Sequence, residues 1–499
     1  MTPLVLHTPA EAATWLRTRV TGQLTADSRA VRAGDGFIAW PGAATDGRRY
    51  VGAALAQGAA ACLVEQEGAE AFGFAQDSVA AYPQLKAATA LVADAYYASP
   101  SEALNMVAIT GTNGKTSCAW WLSSALSQLK LPALSPCALV GTLGVGVAPD
   151  VQPTGLTTPD PVLLQQRLRG FVDAGVKSCA IEASSIGLAE HRLDGTRIRV
   201  AVFTNFTQDH LDYHGSMAAY WQAKAALFDW PGLQAAVINL DDARGPALAG
   251  HARACGLDVW TVSLRQPARL AASALHHGPQ GLQWQVHEGD ASHALATTLV
   301  GDYNAANAMC VLGALRALGV PLADAVTACA RLPAVPGRME CIEQADAPLA
   351  VVDYAHTPDA VEKALTALRP LAARRGGRLW CVFGCGGNRD AAKRPLMAAA
   401  AESAADVLLL TSDNPRHEDP QAIIAAMQRG LARAEAARVQ PDRAAAIAQA
   451  LREAAPADVV LIAGKGHEDY QDVRGERLPF SDQAEARRAL AARAAEMPA

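Results

Sequence analysis

Met106-Val107-Ala108-Ile109-Thr110-Gly111-Thr112-Asn113-Gly114-Lys115-Thr116-Ser117 is the stretch on which the reading of this chain turns. Residues 106–109 form a short apolar run that reads as a buried strand, and it passes through a glycine turn into a helical pattern. Strand, glycine loop and helix in that order are the context a phosphate loop needs. Backbone N–H groups and the helix N-terminus together make a concave positive site. Lys115 is spaced to reach the β- and γ-phosphates of ATP, and the Thr116 hydroxyl to ligate magnesium. The loop is compact: the strict pattern has a glycine five positions before Gly114, and Ile109 stands there. A glycine turn that merely caps a helix would look similar, so the remaining motifs decide.

The surroundings are those of an ordinary globular protein. At roughly 150 residues per domain, 499 residues suggest about three domains. Half the residues are hydrophobic and 18% are charged. A net charge of −6 gives no global reason to expect nucleic acid or an anionic membrane as partner. No segment is long and apolar enough to span a bilayer, and residues 1–16 lack a basic stretch followed by an apolar run. The ten cysteines contain no Cys-x-x-Cys, and those at 118, 179 and 310 lie in apolar segments, so reduced core residues in a cytoplasmic protein are expected.

Three textures divide the chain, and the fold class read from them is α/β with three domains. Residues 1–98 read as a small α/β unit. Residues 99–335 alternate strand and helix signals around the glycine loop, with strands at 179–181 and 200–203 and a helix at 218–228. An extended, more polar stretch at 282–300 reads as an antiparallel edge, followed by helices at 304–318 and 322–330. Leu332-Pro333-Ala334-Val335-Pro336-Gly337 reads as a linker. From 336 to 499, apolar runs at 349–354, 379–383, 407–411 and 459–462 alternate with helical patterns, which predicts a doubly wound, mostly parallel sheet.

Polar residues gather where these strands end. Glu182 closes one, and Asn205-Phe206-Thr207-Gln208-Asp209-His210-Leu211-Asp212-Tyr213-His214-Gly215 follows another. A carboxylate and an imidazole at neighbouring strand ends suit a divalent cation. Lys224, taken alone, reads as a helix-surface lysine. In the last domain three loops follow strands: Gly384-Cys385-Gly386-Gly387-Asn388-Arg389-Asp390, Asp413-Asn414-Pro415-Arg416 and Gly464-Lys465-Gly466-His467-Glu468-Asp469. Arg389 and Arg416 suit a carboxylate, while Asp413 and Glu468 suit an ammonium group. A ligand with both ends, an amino acid, satisfies all four.

With these motifs in order, together with Thr157-Thr158-Pro159, Gly301-Asp302-Tyr303-Asn304, Pro336-Gly337-Arg338-Met339-Glu340 and Asp353-Tyr354-Ala355-His356, the chain resembles the Mur ligases, which build the peptidoglycan peptide. The resemblance implies a nucleotide-sugar domain, a central ATPase domain and a C-terminal Rossmann-like domain that closes over the site. It implies ATP and Mg2+ as cofactors. The implied substrates are UDP-N-acetylmuramoyl-L-alanyl-D-glutamate and meso-diaminopimelate, used by a monomer. Gly111, Thr112, Asn113, Gly114, Lys115, Thr116, Ser117, Asn304, Arg338 and Asp353 would hold ATP. Ser28 and the turn with Ala43, Ala44 and Thr45 would hold the uridine end. Thr157, Thr158, Ser184, Glu190 and Arg192 would hold the muramoyl dipeptide, although Glu190 departs from the family's glutamine. Thr116, Glu182 and His210 match the magnesium positions, and Lys224 the lysine that is carbamylated to N6-carboxylysine. Arg389, Asp413, Asn414, Pro415, Arg416, Gly464 and Glu468 match the diaminopimelate set. A lysine-adding member of the family and a folylpolyglutamate synthetase are the alternatives.

Overall fold

The strand expected before the glycine loop is present as Asn105–Thr110, and the helix after it as Lys115–Leu129. The computed structural model describes residues 3–42, 45–278 and 281–496, which form two compact units. One contains the chain up to Phe206, with Tyr213–Val262 and Cys310–Ala328; the other contains Thr207–Asp212, Ser263–Met309 and the chain from Cys329 onward.

The first unit carries a five-stranded sheet near the N-terminus and the larger sheet built around Asn105–Thr110. The small sheet is parallel throughout. In the larger one, Asn105–Thr110 lies between Ser178–Glu182 and Ile198–Phe203 and is parallel to both. Val107, Ala108 and Ile109 are buried on both faces, as expected for a strand covered by helices on each side. Register sets the function of this edge. Glu182 pairs with Ile109, and Phe203 pairs with Thr110. Three chain segments therefore leave the sheet side by side: the glycine loop, the turn after Glu182 and the turn after Phe203.

The second unit repeats this logic in its six-stranded sheet, ordered Glu340–Ile342, Leu349–Asp353, Val459–Ala463, Leu379–Phe383, Val407–Leu410, Arg438–Val439. All neighbours are parallel except the first pair. Ala463 pairs with both Asp353 and Phe383, and Phe383 with Leu410, so the loops starting at 354, 384, 411 and 464 emerge together. The same unit holds an antiparallel meander, Leu270–Gly278, Gly281–Glu288 and Ala291–Ala296; its last two strands fall where the polar edge was expected, and the first precedes that stretch. The helix expected over 218–228 ends sooner, as Met217–Ala225 followed by a 3-10 turn, Ala226–Asp229. Trp230 then turns extended ahead of Pro231, a conformation that a following proline favours.

The strand-end loops of the second unit rest on a buried ion pair. Arg443 donates from Nε and Nη2 to the two oxygens of Asp482, each at 2.7 Å, and both side chains are fully buried. The same guanidinium donates to the carbonyls of Ala463 (2.9 Å), the last residue before one loop, and of Ser412 (3.3 Å), the second residue of another. Removing one partner leaves an uncompensated buried charge. Asp482→Ala is expected to cost about 3–5 kcal/mol in urea denaturation, and a loss under about 1 kcal/mol would contradict this role.

Candidate functional site

The phosphate loop reverses at Gly111, whose φ is +146°. A Cβ there would lie 2.0 Å from Thr204 Oγ1, so no other residue fits. The loop is then held from the neighbouring strand end. Thr112 N donates to Asn205 O (2.8 Å), Asn113 N donates to Asn205 Oδ1 (2.9 Å), and Asn205 Nδ2 and Thr204 Oγ1 both donate to Asn113 O. Gly114, in the left-handed region, starts the helix without a side-chain cap and without an acidic residue in the first turn. A first turn arranged this way suits a phosphate. Lys115 Nζ donates to the carbonyls of Gly111 (2.9 Å) and Thr112 (2.8 Å), so its ammonium lies over the loop. Ser117 is buried in the same first turn.

Glu182 reaches this loop from the next strand and is 1% exposed. Thr116 Oγ1 donates to its Oε2 (3.0 Å), Thr142 N to its Oε1 (2.8 Å) and Thr142 Oγ1 to its Oε2 (3.2 Å). A hydroxyl and a carboxylate in contact are a hard oxygen pair of the kind magnesium takes, so these residues fit that ion. His210 is the next residue after Asp209, in the left-handed region at φ +51°, with its Nε2 3.5 Å from Asp209 Oδ2. Burial pushes the Asp209 carboxyl up, but His210, His356 and Lys393 outweigh it and hold it at about 2.

Lys224 is not a surface lysine. Tyr220 and Lys224 share one helix face, four residues apart, and both are buried. Lys224 Nζ donates to Gly111 O at 2.7 Å and sits 4.5 Å from the Tyr220 ring centroid, while the Tyr220 hydroxyl lies 3.2 Å from Thr112 Oγ1. The helix Met217–Ala225 is thus fastened to the phosphate loop.

The residues expected at the dipeptide form one network at the same edge. Thr157 Oγ1 lies 3.0 Å from Thr142 Oγ1. Thr158 Oγ1 donates to Glu182 O (2.7 Å) and meets Ser184 Oγ (2.9 Å), and Arg192 Nη1 donates to Thr158 O (2.9 Å). Glu190 is compensated within the chain: Lys86 pairs with it at 2.7 Å and the Tyr213 hydroxyl donates to it at 2.6 Å. Those two hydrogen bonds hold its carboxyl below the usual range. In the small sheet's domain, Ser28 is half-buried and exposed Thr45 lies 3.4 Å from the Tyr50 hydroxyl. Ala43 and Ala44 fall outside the described residues.

The second unit gathers the other set. Asn414 Nδ2 donates to Glu468 Oε2 (2.7 Å), and Lys465 Nζ donates to Asn414 Oδ1 (3.0 Å) and Glu468 Oε2 (2.9 Å). Lys465 is fully buried, so a chain ammonium already meets the carboxylate expected to receive a ligand's. A Cβ on Gly464 would lie 2.5 Å from Asp413 Oδ2, and one on Gly386 would meet Arg416 Nη1 at 3.0 Å and the Arg389 side chain at 3.7 Å. The Arg416 guanidinium and the Cγ of the Arg389 stem therefore both lie beside one glycine. Arg416 donates to Gly387 O at 2.7 Å, and its backbone is left-handed, as are those of Asn388 and Met339, each at φ +51°. Pro415 O packs against Gly387, where a Cβ would come within 2.0 Å.

Of the expected ATP contacts in this unit, Arg338 lies over the Tyr354 ring (4.4 Å), and Asp353 accepts from Met339 N (2.8 Å) and Ala355 N (2.9 Å). Asn304 donates to Val300 O (2.9 Å) in the first turn of Asp302–Ala317.

Thr142, Thr204, Tyr220 and Lys86 complete these sets without having been singled out from sequence, and Asn205 and Lys465 stood within quoted strand-end stretches without a role of their own. Lys465 alone had a local signal, a lysine between two glycines directly after a strand.

Parallel sheets with a phosphate loop at one carboxyl edge and a mixed-charge set at another define a ligase that activates an acid with a nucleotide. The chain belongs to the Mur ligase family of ATP-dependent amide ligases. Residues 22–108 match the model of the Mur ligase family catalytic domain, 109–315 the Mur ligase middle domain and 337–466 the Mur ligase glutamate ligase domain. The chain is 62% identical, over 98% of both sequences, to the UDP-N-acetylmuramoyl-L-alanyl-D-glutamate–2,6-diaminopimelate ligase of Acidovorax sp. (strain JS42). A solved structure of an enzyme of that same name is 36% identical, with a TM-score of 0.66 over 95% of both chains. A folylpolyglutamate synthase of Mycobacterium tuberculosis shares the fold at 19% identity, with a TM-score of 0.60 over 76% of this chain.

One group here makes the fold acid-sensitive. Burial, then Arg338 and Lys465, hold His467 down at about 4, so it is neutral in the folded protein. The unfolded chain takes up this proton near pH 6.5, and folding stability is therefore lost as pH falls from about 6.5 towards 4. His467→Gln is expected to remove roughly 3 kcal/mol of that loss. Urea midpoints that fall equally steeply in both proteins between pH 7 and pH 4 would refute it.

Proposed function

We propose that this protein adds meso-2,6-diaminopimelate to UDP-N-acetylmuramoyl-L-alanyl-D-glutamate, using ATP, in the cytoplasmic assembly of the peptidoglycan precursor. The observation that carries the reading is 62% identity across 98% of the chain, a span that includes both loop sets. We assign residues 1–98 to the nucleotide-sugar end, 99–335 to ATP and the ligation, and 336–499 to the incoming amino acid.

The side-chain carboxylate of the substrate's D-glutamate attacks the γ-phosphorus of ATP, and ADP leaves. Lys115 supplies a positive charge to the transferring phosphoryl group, and the first turn after Gly114 supplies N–H donors. Thr116, Glu182 and His210 are the residues that would hold magnesium, which neutralises phosphate charge when bound. Lys224, carbamylated by carbon dioxide, would become an anionic oxygen donor beside the loop instead of a cation on Gly111 O. Thr157, Thr158, Ser184 and Arg192 hold the dipeptide acid.

The diaminopimelate amine then attacks the acyl phosphate, expelling phosphate and forming the amide. The amine must be neutral to do so. His356 is one candidate for that proton and solvent is the other; His356 Nδ1 lies 2.7 Å from Tyr354 O, and donation there would leave Nε2 as the acceptor. Asp413, Asn414 and Glu468 favour the ammonium end of the amino acid, and Arg389 and Arg416 its carboxylates. The second carboxylate distinguishes diaminopimelate from lysine, and Arg416 is its reader.

Two experiments test this. With the dipeptide substrate and ATP, phosphate release is expected only when diaminopimelate is added, and Lys115→Ala is expected to reduce it at least about 1,000-fold. Release that ignores the amino acid would defeat the coupled mechanism. In a competition between the two amino acids, diaminopimelate is expected to win, and Arg416→Ala to erode its advantage by about 10- to 100-fold through loss of a charged hydrogen bond. Preference for lysine in the unaltered protein would overturn the assignment of Arg416.

A further inference from the structure

Three side chains of the first unit, none of them assigned above, converge on its surface. Asp229 closes the 3-10 turn Ala226–Asp229, and His251 and Cys255 lie one turn apart at the C-terminal end of the helix Gly245–Ala254, with Cys255 as its cap. His251 Nε2 lies 2.6 Å from Asp229 Oδ1, and Cys255 Sγ lies 3.6 Å from that same nitrogen and 3.8 Å from that same oxygen. All three side chains are exposed.

A nucleophilic Cys–His–Asp relay needs the two imidazole nitrogens to serve different partners. Here thiol and carboxylate approach one nitrogen, so the arrangement is no relay. It is three donor atoms around a common point. Zinc bonds of about 2.0–2.2 Å to oxygen and nitrogen and about 2.3 Å to sulfur, at tetrahedral angles, place ligand atoms roughly 3.3–3.6 Å apart. The two edges that involve sulfur are close to that spacing. The oxygen–nitrogen edge needs to open by about 0.7 Å, a small rotation for an exposed aspartate. The helix end adds its own bias, because the last turn carries partial negative charge.

We propose that Asp229, His251 and Cys255 form a surface site for a divalent transition metal of the zinc class, with solvent completing the coordination. A thiolate, an imidazole and one carboxylate select such ions over magnesium. The Cys255 thiol proton passes to solvent on binding, so affinity rises with pH. The bound ion would fasten the turn that follows the Lys224 helix to the helix Gly245–Ala254.

Cobalt(II) is the probe. Added to the full chain in saturating magnesium, it is expected to give a thiolate-to-cobalt charge-transfer band and tetrahedral d–d bands, to saturate at one equivalent and to be displaced by zinc. Cys255→Ser is expected to abolish the charge-transfer band, and His251→Ala to weaken binding at least about 10-fold. Cys341→Ser, which removes the other exposed cysteine among the described residues, is expected to leave the spectrum unchanged. As a second readout, zinc is expected to raise the thermal midpoint of the unaltered protein and of Cys341→Ser but not of Cys255→Ser. No charge-transfer band at millimolar cobalt, or a band that survives Cys255→Ser, would overturn the proposal.

Discussion

The first unit's chemistry hangs from one reversal of the backbone, at Gly111. Its carbonyl accepts from two lysines, Lys115 at 2.9 Å and Lys224 at 2.7 Å. Its missing side chain lets the loop press against Thr204. The helix then begins at Gly114 without a side-chain cap, and the Thr116 hydroxyl in its first turn donates to Glu182. An oxygen acceptor shared by two cations is an unusual use of a peptide group, and it links the loop's shape to the charge state of both.

Buried charge is handled by local pairing throughout. Glu182 is surrounded by hydroxyl and amide donors, Lys465 lies between an amide oxygen and a carboxylate, and Arg443 is matched by Asp482 with both oxygens in use. Isolated, each would be costly to bury, and each is kept because its partners are fixed by sheet register or by helix packing. Glu190 follows the same rule at lower burial. Its carboxylate is answered by Lys86 and Tyr213, so the acid adds no unbalanced charge to the set proposed to hold the dipeptide.

What could be read in the sequence was local. Apolar runs such as 379–383 and 459–462 coincide with strands, since four or five consecutive buried residues need no distant information. The glycine loop was equally legible, its spacing being complete within a dozen residues. What escaped was set by partners far along the chain. Asn205 holds a loop 92 positions earlier, and Thr142 caps a carboxylate 40 positions later. Lys224 looked solvent-facing because a lone lysine on a short helix usually is, yet the face it shares with Tyr220 is pressed onto the loop. No periodicity reports which face of a nine-residue helix a distant turn will cover. The break read at 332–337 rested on two prolines and a glycine, whereas the ion pair between 443 and 482 had no mark at all.

Arg416, Asn388, Met339 and His210 all hold left-handed backbone without being glycine. Each such residue sacrifices about 1 kcal/mol or more against a glycine in the same place. Selection for thermal robustness alone would drive these positions towards glycine, and at Arg416 and His210 it would erase the groups proposed above to meet a ligand. Replacing these residues with glycine to stabilise the enzyme would thus run opposite to the chemistry proposed for these turns.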